Sequence, residues 1–357
     1  MIQRALADLL EGRDLSQSDA RDVMRSIMAG EATPGQIGGF LVALRLKGET
    51  ADEIAGCAEA MREHVLVVRP ERVDLVDTAG TGGDGAGTFN ISTAAALVAA
   101  AAGAGVAKHG NRAVSSLSGS ADVLEALGFN LELAPDLIAR SIDELGFGFL
   151  FAPSHHPAMR HAAPVRRELA ARTVFNVLGP LTNPAGARAQ VVGVYAPDLV
   201  PTIATVLARL GSRRAFVVHG AGGIDELSPA GANLVCEVVD GSVRRREIDP
   251  LELGIDRCAP DELGGGDPAE NAETIRRIFA GSNGGKRDAV PNRPRLRRRD
   301  SARPATARRS RPPHARRTRG LRRVARAPRR LSARARAHRR RRPARAPPRD
   351  SSVARAH

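Results

Sequence analysis

A glycine-rich stretch from Asp77 to Thr93, DTAGTGGDGAGTFNIST, has the composition of an anion-binding loop. It lies between a β-branched run that predicts a strand and an apolar run from Ile91 that predicts a helix. Glycines let backbone N–H groups approach an anion, and the positive end of the helix dipole adds attraction. A phosphorylated ligand therefore fits. The alternative is a flexible turn with Asn90 or Ser92 as a plain N-cap, because the glycines match neither G-x-G-x-x-G nor a P-loop.

A second polar loop, Lys108 to Ser120 (KHGNRAVSSLSGS), follows the next predicted strand and should open at the same sheet edge. Lys108 and Arg112 supply positive charge, and two such loops predict a substrate with more than one phosphate group. Taken alone, Arg112 fits a surface position equally well, and a structural hydrogen bond is favoured for His109 over acid-base catalysis. The remaining candidates are glycines and hydrogen-bond donors: Gly110, Asn111, Ser115, Ser116, Gly119 and Ser120.

A pair of adjacent carboxylates, Asp225 and Glu226 in GGIDELSP, follows the strand predicted to end at His219. Such a pair suits a Mg²⁺ ion that keeps several waters and bridges to substrate phosphates. By itself an Asp-Glu pair is most often part of a solvated loop. Its position opposite two anion-binding loops favours the metal.

Basic side chains in the middle of the chain have several possible roles. His155, His156 and His161 have no carboxylate or cysteine at ligand spacing, so packing or substrate contact is preferred to metal binding. Arg166 and Arg167 begin a predicted helix, where one of them can pair with a carboxylate substrate. A surface position is the default for Arg167.

Residues 1–66 predict four short helices with recognisable caps. Ser18 is expected to cap the second, Thr33 followed by Pro34 begins the third, and Thr50 begins the fourth. After residue 70, β-branched runs alternate with helical stretches, which predicts an α/β fold with a mainly parallel sheet flanked by helices. The predicted strands are 73–76, 105–108, 191–195, 215–219 and 234–239. The predicted helices are 91–102, 121–127, 135–145 and 201–210.

The charge of the chain is unevenly distributed. Its formal net charge is +15, but residues 291–357 contain 26 arginines and carry +24, which leaves −9 on the preceding 290 residues. The high isoelectric point therefore does not indicate a specific nucleic-acid-binding protein. Arg, Ala and Pro make up 48 of these 67 residues, so the segment cannot form a core and should be disordered, with at most non-specific binding to polyanions.

Three domains are expected from these patterns. A helical domain spans 1–68, with part of 155–185 packing on it, an α/β domain spans 70–290, and an arginine-rich tail spans 291–357. The three cysteines are far apart and form no C-x-x-C pair, which argues against disulfides and zinc. The longest apolar run is shorter than the roughly 20 residues of a membrane helix, and the amino terminus lacks signal-peptide features, so we expect a cytoplasmic protein.

Taken together, the motifs resemble those of the anthranilate phosphoribosyltransferases. The resemblance rests on GTGGD at 80–84, NIST at 90–93, KHGNRAVSS at 108–116, GSADVLEALG at 119–128, PVRREL at 164–169, FNVLGPLTNPA at 175–185 and IDELSP at 224–229, which occur in the family's order from the first helix to about Val290. Each string is moderate evidence, and the ordered set is highly specific.

This resemblance implies transfer of the 5-phosphoribosyl group from phosphoribosyl pyrophosphate (PRPP) to anthranilate in tryptophan biosynthesis, by a homodimer packed through its helical part. Electrostatic help would come from Lys108, with no acid-base residue assigned. Anthranilate would contact Gly80, Asn111 and Arg166. Mg²⁺ would be held by Ser92, Asp225 and Glu226. PRPP would contact Gly80, Gly83, Asp84, Thr88, Asn90, Ile91, Ser92, Thr93, Lys108, His109, Gly110, Asn111, Arg112, Ala113, Val114, Ser115, Ser116 and Ser120.

The chain departs from the family pattern after Val290, where an Ala-rich helical ending is expected. Our hypothesis is a reading-frame shift in a GC-rich gene, which would remove the last helical elements, expose apolar surface and compromise folding and activity. Two alternative functions share the fold. A pyrimidine nucleoside phosphorylase would bind inorganic phosphate and a base, and a nucleic-acid-binding relative would need a basic groove, whereas the body of this chain is acidic.

Overall fold

The computed structural model describes residues 1–113, 116–282 and 284–290. A small helical unit is followed by a larger unit with a seven-stranded sheet and flanking helices, which confirms the predicted fold class. The predictions for Val114, Ser115 and residues 291–357 lie outside the described residues. No helix in the described ranges has both the length and the apolar character that crossing a bilayer requires.

Capping residues set the limits of the four amino-terminal helices. Thr33 and Thr50 accept hydrogen bonds from the backbone N–H three residues later, and both belong to capping boxes. The prediction for Ser18 is wrong: Ser16 has the extended backbone of a cap and accepts from the Asp19 N–H at 3.1 Å, whereas Ser18 already lies in the first turn. The helices are α1 (Ile2–Leu10), α2 (Gln17–Ala29), α3 (Pro34–Lys47) and α4 (Ala51–Glu63).

A single sheet forms the centre of the larger unit. Its strands are β1 (Leu75–Gly80), β2 (Gly105–Gly110), β3 (Phe147–Phe151), β4 (Ala189–Gly193), β5 (Arg214–His219), β6 (Asn233–Val239) and β7 (Ser242–Ile248). Their spatial order is β3-β2-β1-β4-β5-β6-β7. The first five strands are parallel, and β6 and β7 join antiparallel at one edge, so the prediction of a mainly parallel sheet is confirmed.

Helices cover both faces of this sheet. Val106 of β2 packs in the core cluster that contains Leu97 and Ile275, whereas its neighbour Ala107 packs in the cluster that contains Ile138. Successive residues of a strand point to opposite faces, so the two clusters lie on opposite sides. The helices are α5 (Ile91–Ala101), α6 (Ser120–Ala126), α7 (Pro135–Leu145), α8 (Ala152–His155), α9 (Ala163–Leu169), α10 (Phe175–Leu178), α11 (Leu199–Arg209), α12 (Pro268–Phe279) and α13 (Gly285–Ala289).

The strand limits differ from prediction where the local pattern was misleading. The first strand begins at Leu75 and not at residue 73, since Val73 is 92% exposed. Strand β3 was not predicted, because it is a short, continuous run buried on both faces that lacks alternation. Strand β7 was also not predicted, because it is an exposed, arginine-rich edge strand.

The helical unit and the sheet share one core. Phe40 and Leu44 of α3 belong to the same buried cluster as Val165 of α9 and Phe175 of α10. The Arg62 guanidinium on α4 also donates hydrogen bonds to the carbonyl oxygens of residues 181 and 210, at 2.7 and 3.3 Å. The middle of the chain therefore joins the two parts, and it holds the basic side chains of α9 close to the sheet edge.

Candidate active site

Three neighbouring strands have a glycine as their last residue or directly after it, and the loop with Asp225 and Glu226 crosses directly over these glycines. A Cβ atom built on Gly193 at the end of β4 would lie 1.5 Å from the Asp225 carbonyl oxygen. The corresponding distances are 2.3 Å from Gly80 to Asp225 Oδ2 and 2.1 Å from Gly220, which follows β5, to the Glu226 carbonyl oxygen. Only glycine permits this approach, so the strand ends fix the position of the carboxylate pair.

The glycine-rich loop after β1 is tied to this carboxylate pair. Asp225 Oδ2 accepts a hydrogen bond from the Gly82 N–H at 2.7 Å, and Asp84 Oδ2 accepts one from the Asp225 N–H at 3.1 Å. The adjacent Glu226 accepts from the Ser92 N–H at 2.9 Å, at the start of α5. Residues from three distant parts of the sequence therefore meet at the carboxyl end of the sheet, as the loop positions predicted.

The same contacts concentrate negative charge. Burial, and second the nearby Asp84 carboxylate, raise the pKa of Asp225 to about 7. Burial also raises the pKa of Glu226 to about 8, with Asp225 as the second cause and Lys108 acting in the opposite direction. Like charges held close together away from water favour protonation or a bound cation. This site is therefore electrostatically suited to a divalent metal.

Lys108 of β2 lies beneath the start of α5. Its side chain is 1% exposed, and the ammonium donates to the Thr78 carbonyl oxygen at 2.5 Å and to Ser92 Oγ at 3.4 Å. Burial lowers the pKa of Lys108, whereas the charges of Asp77 and Glu226 raise it. The positive charge of Lys108 therefore acts on the site from within the sheet, next to Ser92 and Glu226.

The helix start at Asn90 presents donors of several kinds. Asn90 occupies the N-cap position of α5, but its side chain makes no cap hydrogen bond and is engaged elsewhere. Thr93 is fully buried, and its hydroxyl has no hydrogen-bond partner among the described residues. Ile91 is also buried, and Thr88 pairs with Gly264. Backbone N–H groups are the groups of this segment best suited to an anion.

The carboxylate of Asp122 accepts hydrogen bonds from several residues of the second loop. Asp122 Oδ2 accepts from the Ala113 and Gly119 N–H groups, both at 2.9 Å, and its Oδ1 accepts from Arg112 at 2.8 Å. Arg112 also pairs with Glu125 at 2.9 Å, so its charge is neutralised on the protein surface. The other candidates line the loop: Gly110 ends β2, Ser120 Oγ donates to the Asn111 carbonyl oxygen at 3.2 Å, and Asn111 and Ser116 are exposed.

Two histidines form a buried neutral pair. His109 Nε2 and His156 Nε2 are 3.2 Å apart, and His109 Nδ1 is 3.1 Å from the Gly179 carbonyl oxygen. Burial lowers the pKa of His109 to about 3 and that of His156 to about 4. The expected structural role of His109 is consistent with these hydrogen bonds. Among the described residues, no group of three His, Cys, Asp or Glu side chains is arranged as a complete metal site.

Arg166 is a cation on the inner side of α9. Its guanidinium lies 5.0 Å from the centre of the Phe175 ring, and no ion pair to it is present among the described residues. Burial lowers its pKa. Arg167 on the same helix is exposed. A partly buried guanidinium without a carboxylate partner in this part of the chain suits an acidic ligand group.

Arg172 was not predicted and lies over the glycine-rich loop. Its guanidinium donates to the Gly83 carbonyl oxygen and stacks 4.3 Å from the centre of the Tyr195 ring. The Tyr195 N–H donates to Thr81 Oγ1 at 3.1 Å, which anchors the same loop from a second side. No local motif marks Arg172, because its role comes from a contact 89 residues away along the chain.

Comparison with known proteins agrees with this geometry. Residues 72–292 match the α/β domain model of a glycosyl transferase family, and residues 3–65 match the helical bundle domain model of that family. An anthranilate phosphoribosyltransferase from Anaeromyxobacter dehalogenans (strain 2CP-C) is 57% identical over 290 residues, which cover 81% of this chain and 86% of the relative. The chain belongs to the anthranilate phosphoribosyltransferase family.

Solved structures of this family extend the comparison. The Thermus thermophilus enzyme has a TM-score of 0.76 and 53% identity, with coverage of 80% of this chain and 85% of the other. The Saccharomyces cerevisiae enzyme, solved in complex with PRPP and Mg, has a TM-score of 0.74 and 30% identity, with coverage of 81% and 85%. The chain is therefore a pentosyl glycosyltransferase that makes phosphoribosylanthranilate in tryptophan biosynthesis.

Gly193→Ala tests the glycine contacts. The added methyl group meets backbone atoms of Asp225, which cannot rotate away, so the carboxylate pair must move. Overpacking of this kind costs about 1–3 kcal/mol, and we expect kcat/KM for PRPP to fall about tenfold or more. Gly35→Ala is the control, because a Cβ there meets nothing within 4 Å. Equal steady-state activity of the two variants would contradict the role of Gly193.

The histidine pair predicts a pH dependence of stability. In the unfolded chain each imidazole titrates near pH 6.5, whereas in the folded protein the pKa values of His109 and His156 are about 3 and about 4. The unfolded chain therefore binds protons first, and the free energy of unfolding due to this pair falls as the pH decreases below about 6.5. Each group contributes up to about 1.4 kcal/mol per pH unit.

Denaturant unfolding at pH 7, 6 and 5 measures the slope of the free energy of unfolding against pH. His156→Gln should reduce this slope, because one of the two buried imidazoles is removed while His109 remains. A slope in the His156 variant equal to that of the wild type would show that the pair is not the cause.

Proposed function

We propose that PRPP binds across the carboxyl ends of β1, β2 and β5, with Mg²⁺ on the carboxylate pair and anthranilate beside Arg166. The observation that carries this assignment is the convergence of Asp84, Lys108 and Asp225, which are far apart in sequence, around the start of α5. The site combines a metal-suited acidic cluster with two loops rich in backbone N–H donors.

The acidic cluster fits a magnesium ion. Asp225 and Glu226 are held side by side with raised pKa values, and the Ser92 hydroxyl lies near Lys108 and Glu226. Two carboxylates and a hydroxyl leave room for water and phosphate oxygens, which Mg²⁺ prefers over a complete protein cage. When bound, Mg²⁺ would neutralise charge on the pyrophosphate and polarise its bond to the sugar. The PRPP and Mg complex of the yeast relative supports this assignment.

Phosphate groups would be held by the two loops and the start of α5. Gly82, Gly83 and Gly85 have left-handed backbone conformations, with φ from 66° to 75°, that allow the loop to curve around an anion. Arg172 adds a positive charge above this loop. The predicted contacts of Asn90, Lys108 and the 108–120 loop complete the cradle, and the helix dipole contributes in the same direction.

Anthranilate would bind on the α9 side of the site, with its carboxylate on Arg166. The predicted contacts from Gly80 and Asn111 belong to the loops that follow β1 and β2, so the aromatic amine would face the ribose. His109 and His156 are neutral at pH 7 and contribute no competing charge. An acidic substrate therefore meets a single positive partner here.

The reaction follows from this arrangement. The amine nitrogen forms a bond to C1 of the ribose while the bond from C1 to the pyrophosphate oxygen breaks, and the amine then loses a proton. An aromatic amine is uncharged at neutral pH, so it needs positioning more than deprotonation. Backbone N–H groups, Lys108 and Arg172 would stabilise the charge that develops on the leaving group. No residue is assigned as a general base.

The phosphorylase and nucleic-acid-binding alternatives are not retained. The curated relatives at 51–57% identity carry the anthranilate phosphoribosyltransferase name, as do the structures described above. The family model ends at residue 292, so all but the first two residues of the arginine-rich segment lie beyond the matched region. Its origin by a reading-frame shift remains a prediction, as does a cytoplasmic location.

Arg166→Gln and Arg167→Gln form a matched pair for the substrate assignment. With Mg²⁺, PRPP and anthranilate present, loss of anthranilate fluorescence measures turnover. Loss of a charge-assisted hydrogen bond costs about 1.5–3 kcal/mol, so Arg166→Gln should raise KM for anthranilate at least about tenfold and leave KM for PRPP nearly unchanged. Arg167→Gln should behave as wild type. No turnover by folded wild-type protein would overturn the proposed function itself.

We also propose a homodimer formed through α1 and α3. Leu10 and Leu46 are 77% and 82% exposed, and Val42 is 40% exposed one helical turn before Leu46. Leu6 packs against Gly39 on the same stripe, so these side chains form one apolar face across the two helices. Exposed contiguous apolar surface of this kind favours association with a second copy.

Leu46→Glu tests this interface. A charge on the apolar face should convert a dimer to a monomer, as measured by light scattering after gel filtration. Leu251→Glu is the control, because Leu251 is also exposed but lies far along the chain, after β7. A monomeric wild-type protein, or a dimer that survives Leu46→Glu, would contradict the assignment.

A further inference from the structure

Asn271, in the first turn of α12, is a buried polar residue that the expected site does not include. Its side chain is 2% exposed and bonds to residues outside its own helix. Its Oδ1 accepts from the Gly266 N–H at 2.9 Å, and its Nδ2 donates to the Gly266 carbonyl oxygen at 3.2 Å and to Asn90 Oδ1 at 3.0 Å. Asn90 is the N-cap residue of α5, at the proposed PRPP site.

The orientation of the Asn271 amide is fixed by its backbone partner. A backbone N–H can only donate, so the atom facing the Gly266 N–H must be the oxygen, and the nitrogen must face Asn90. Asn90 consequently presents its own oxygen to Asn271. That same oxygen accepts from Ser118 Oγ at 3.1 Å, while Asn90 Nδ2 donates to the Ser118 carbonyl oxygen at 3.0 Å.

These contacts leave one hydrogen of the Asn90 amide for a ligand. Within the described part of the chain, its Oδ1 already accepts two hydrogen bonds and its Nδ2 has used one of two hydrogens. Ser118 sets which atom of the Asn90 amide is the donor, and without Asn271 the Asn90 oxygen would lose its second donor, so that the direction of the remaining N–H would be held by Ser118 alone.

The backbone around Asn271, Asn90 and Ser118 is also held in place. Residues 263–265 run antiparallel to the end of the glycine-rich loop: the Phe89 N–H donates to the Leu263 carbonyl oxygen at 3.0 Å, and the Gly265 N–H donates to the Gly87 carbonyl oxygen at 2.7 Å. Ser118 belongs to the second loop. Asn271 therefore connects α12 with both of the loops that follow β1 and β2.

We propose that Asn271 is a positioning residue for PRPP, which orients the Asn90 side chain so that its remaining N–H faces the phosphate groups. This inference rests on the proposed function of the two loops. Asn271 itself touches no substrate and acts through Asn90, with Ser118 as the third member of the arrangement.

Asn271→Asp is the main test, because it keeps the shape of the side chain and removes the donor. The new carboxylate faces Asn90 Oδ1 and repels it, so the Asn90 amide should be displaced from the direction in which its remaining N–H points. We expect KM for PRPP to rise about tenfold, with smaller changes in kcat and in KM for anthranilate. Ser141→Ala is the control for loss of a buried hydrogen bond, since Ser141 donates to the Phe147 carbonyl oxygen at 2.7 Å.

A double variant of Asn271 and Asn90 distinguishes a positioning role of Asn271 from a role in stability alone. If Asn271 acts through Asn90, adding Asn271→Asp to Asn90→Ala should raise KM for PRPP by less than about twofold. Additive effects, or an unchanged KM in the single variant, would overturn the inference. Should Asn271→Asp fail to fold, Ser118→Ala tests the same arrangement without altering α12, and an unchanged KM there would also overturn it. A wild-type enzyme that PRPP does not saturate would instead contradict the proposed function.

Discussion

The site depends on how closely a backbone segment can approach the ends of three parallel strands. Gly80, Gly193 and Gly220 leave no side chain between the sheet and the loop that carries Asp225 and Glu226. Any larger residue would lift the carboxylates away from the glycine-rich loop and from the start of α5. The chemistry of the site is thus set by missing side chains as much as by charged ones.

Electrostatic balance follows from this approach. Holding Asp225 and Glu226 close together away from water costs free energy, and the raised pKa values of both groups reflect this cost. One buried ammonium, that of Lys108, compensates part of this charge. The remainder favours a cation, which the proposed metal pyrophosphate would supply together with oxygens that complete its coordination. In this proposal, the protein and its substrate are complementary in charge only when both metal and phosphate are present.

Much of this organisation could be predicted from sequence, because loops that bind anions have a local composition. Glycines, serines and a lysine after predicted strands identified the Asp84 and Lys108 loops, and sheet topology brought them together. Arg172 and Asn271 could not be found in this way. Each reaches a loop far away in sequence, by 89 residues for Arg172 and 181 for Asn271, and nothing in its neighbourhood distinguishes it from a surface arginine or a helix-start amide.

The burial of Lys108 also separates two kinds of positive charge in the enzyme. Its ammonium is shielded from solvent, whereas Arg172 is exposed above the glycine-rich loop. Mobile ions weaken attraction between exposed charges over about 8–10 Å at physiological ionic strength and affect buried ones much less. At the proposed PRPP site, a higher salt concentration would therefore slow capture of the polyanionic substrate, and the field of Lys108 on the bound substrate would remain.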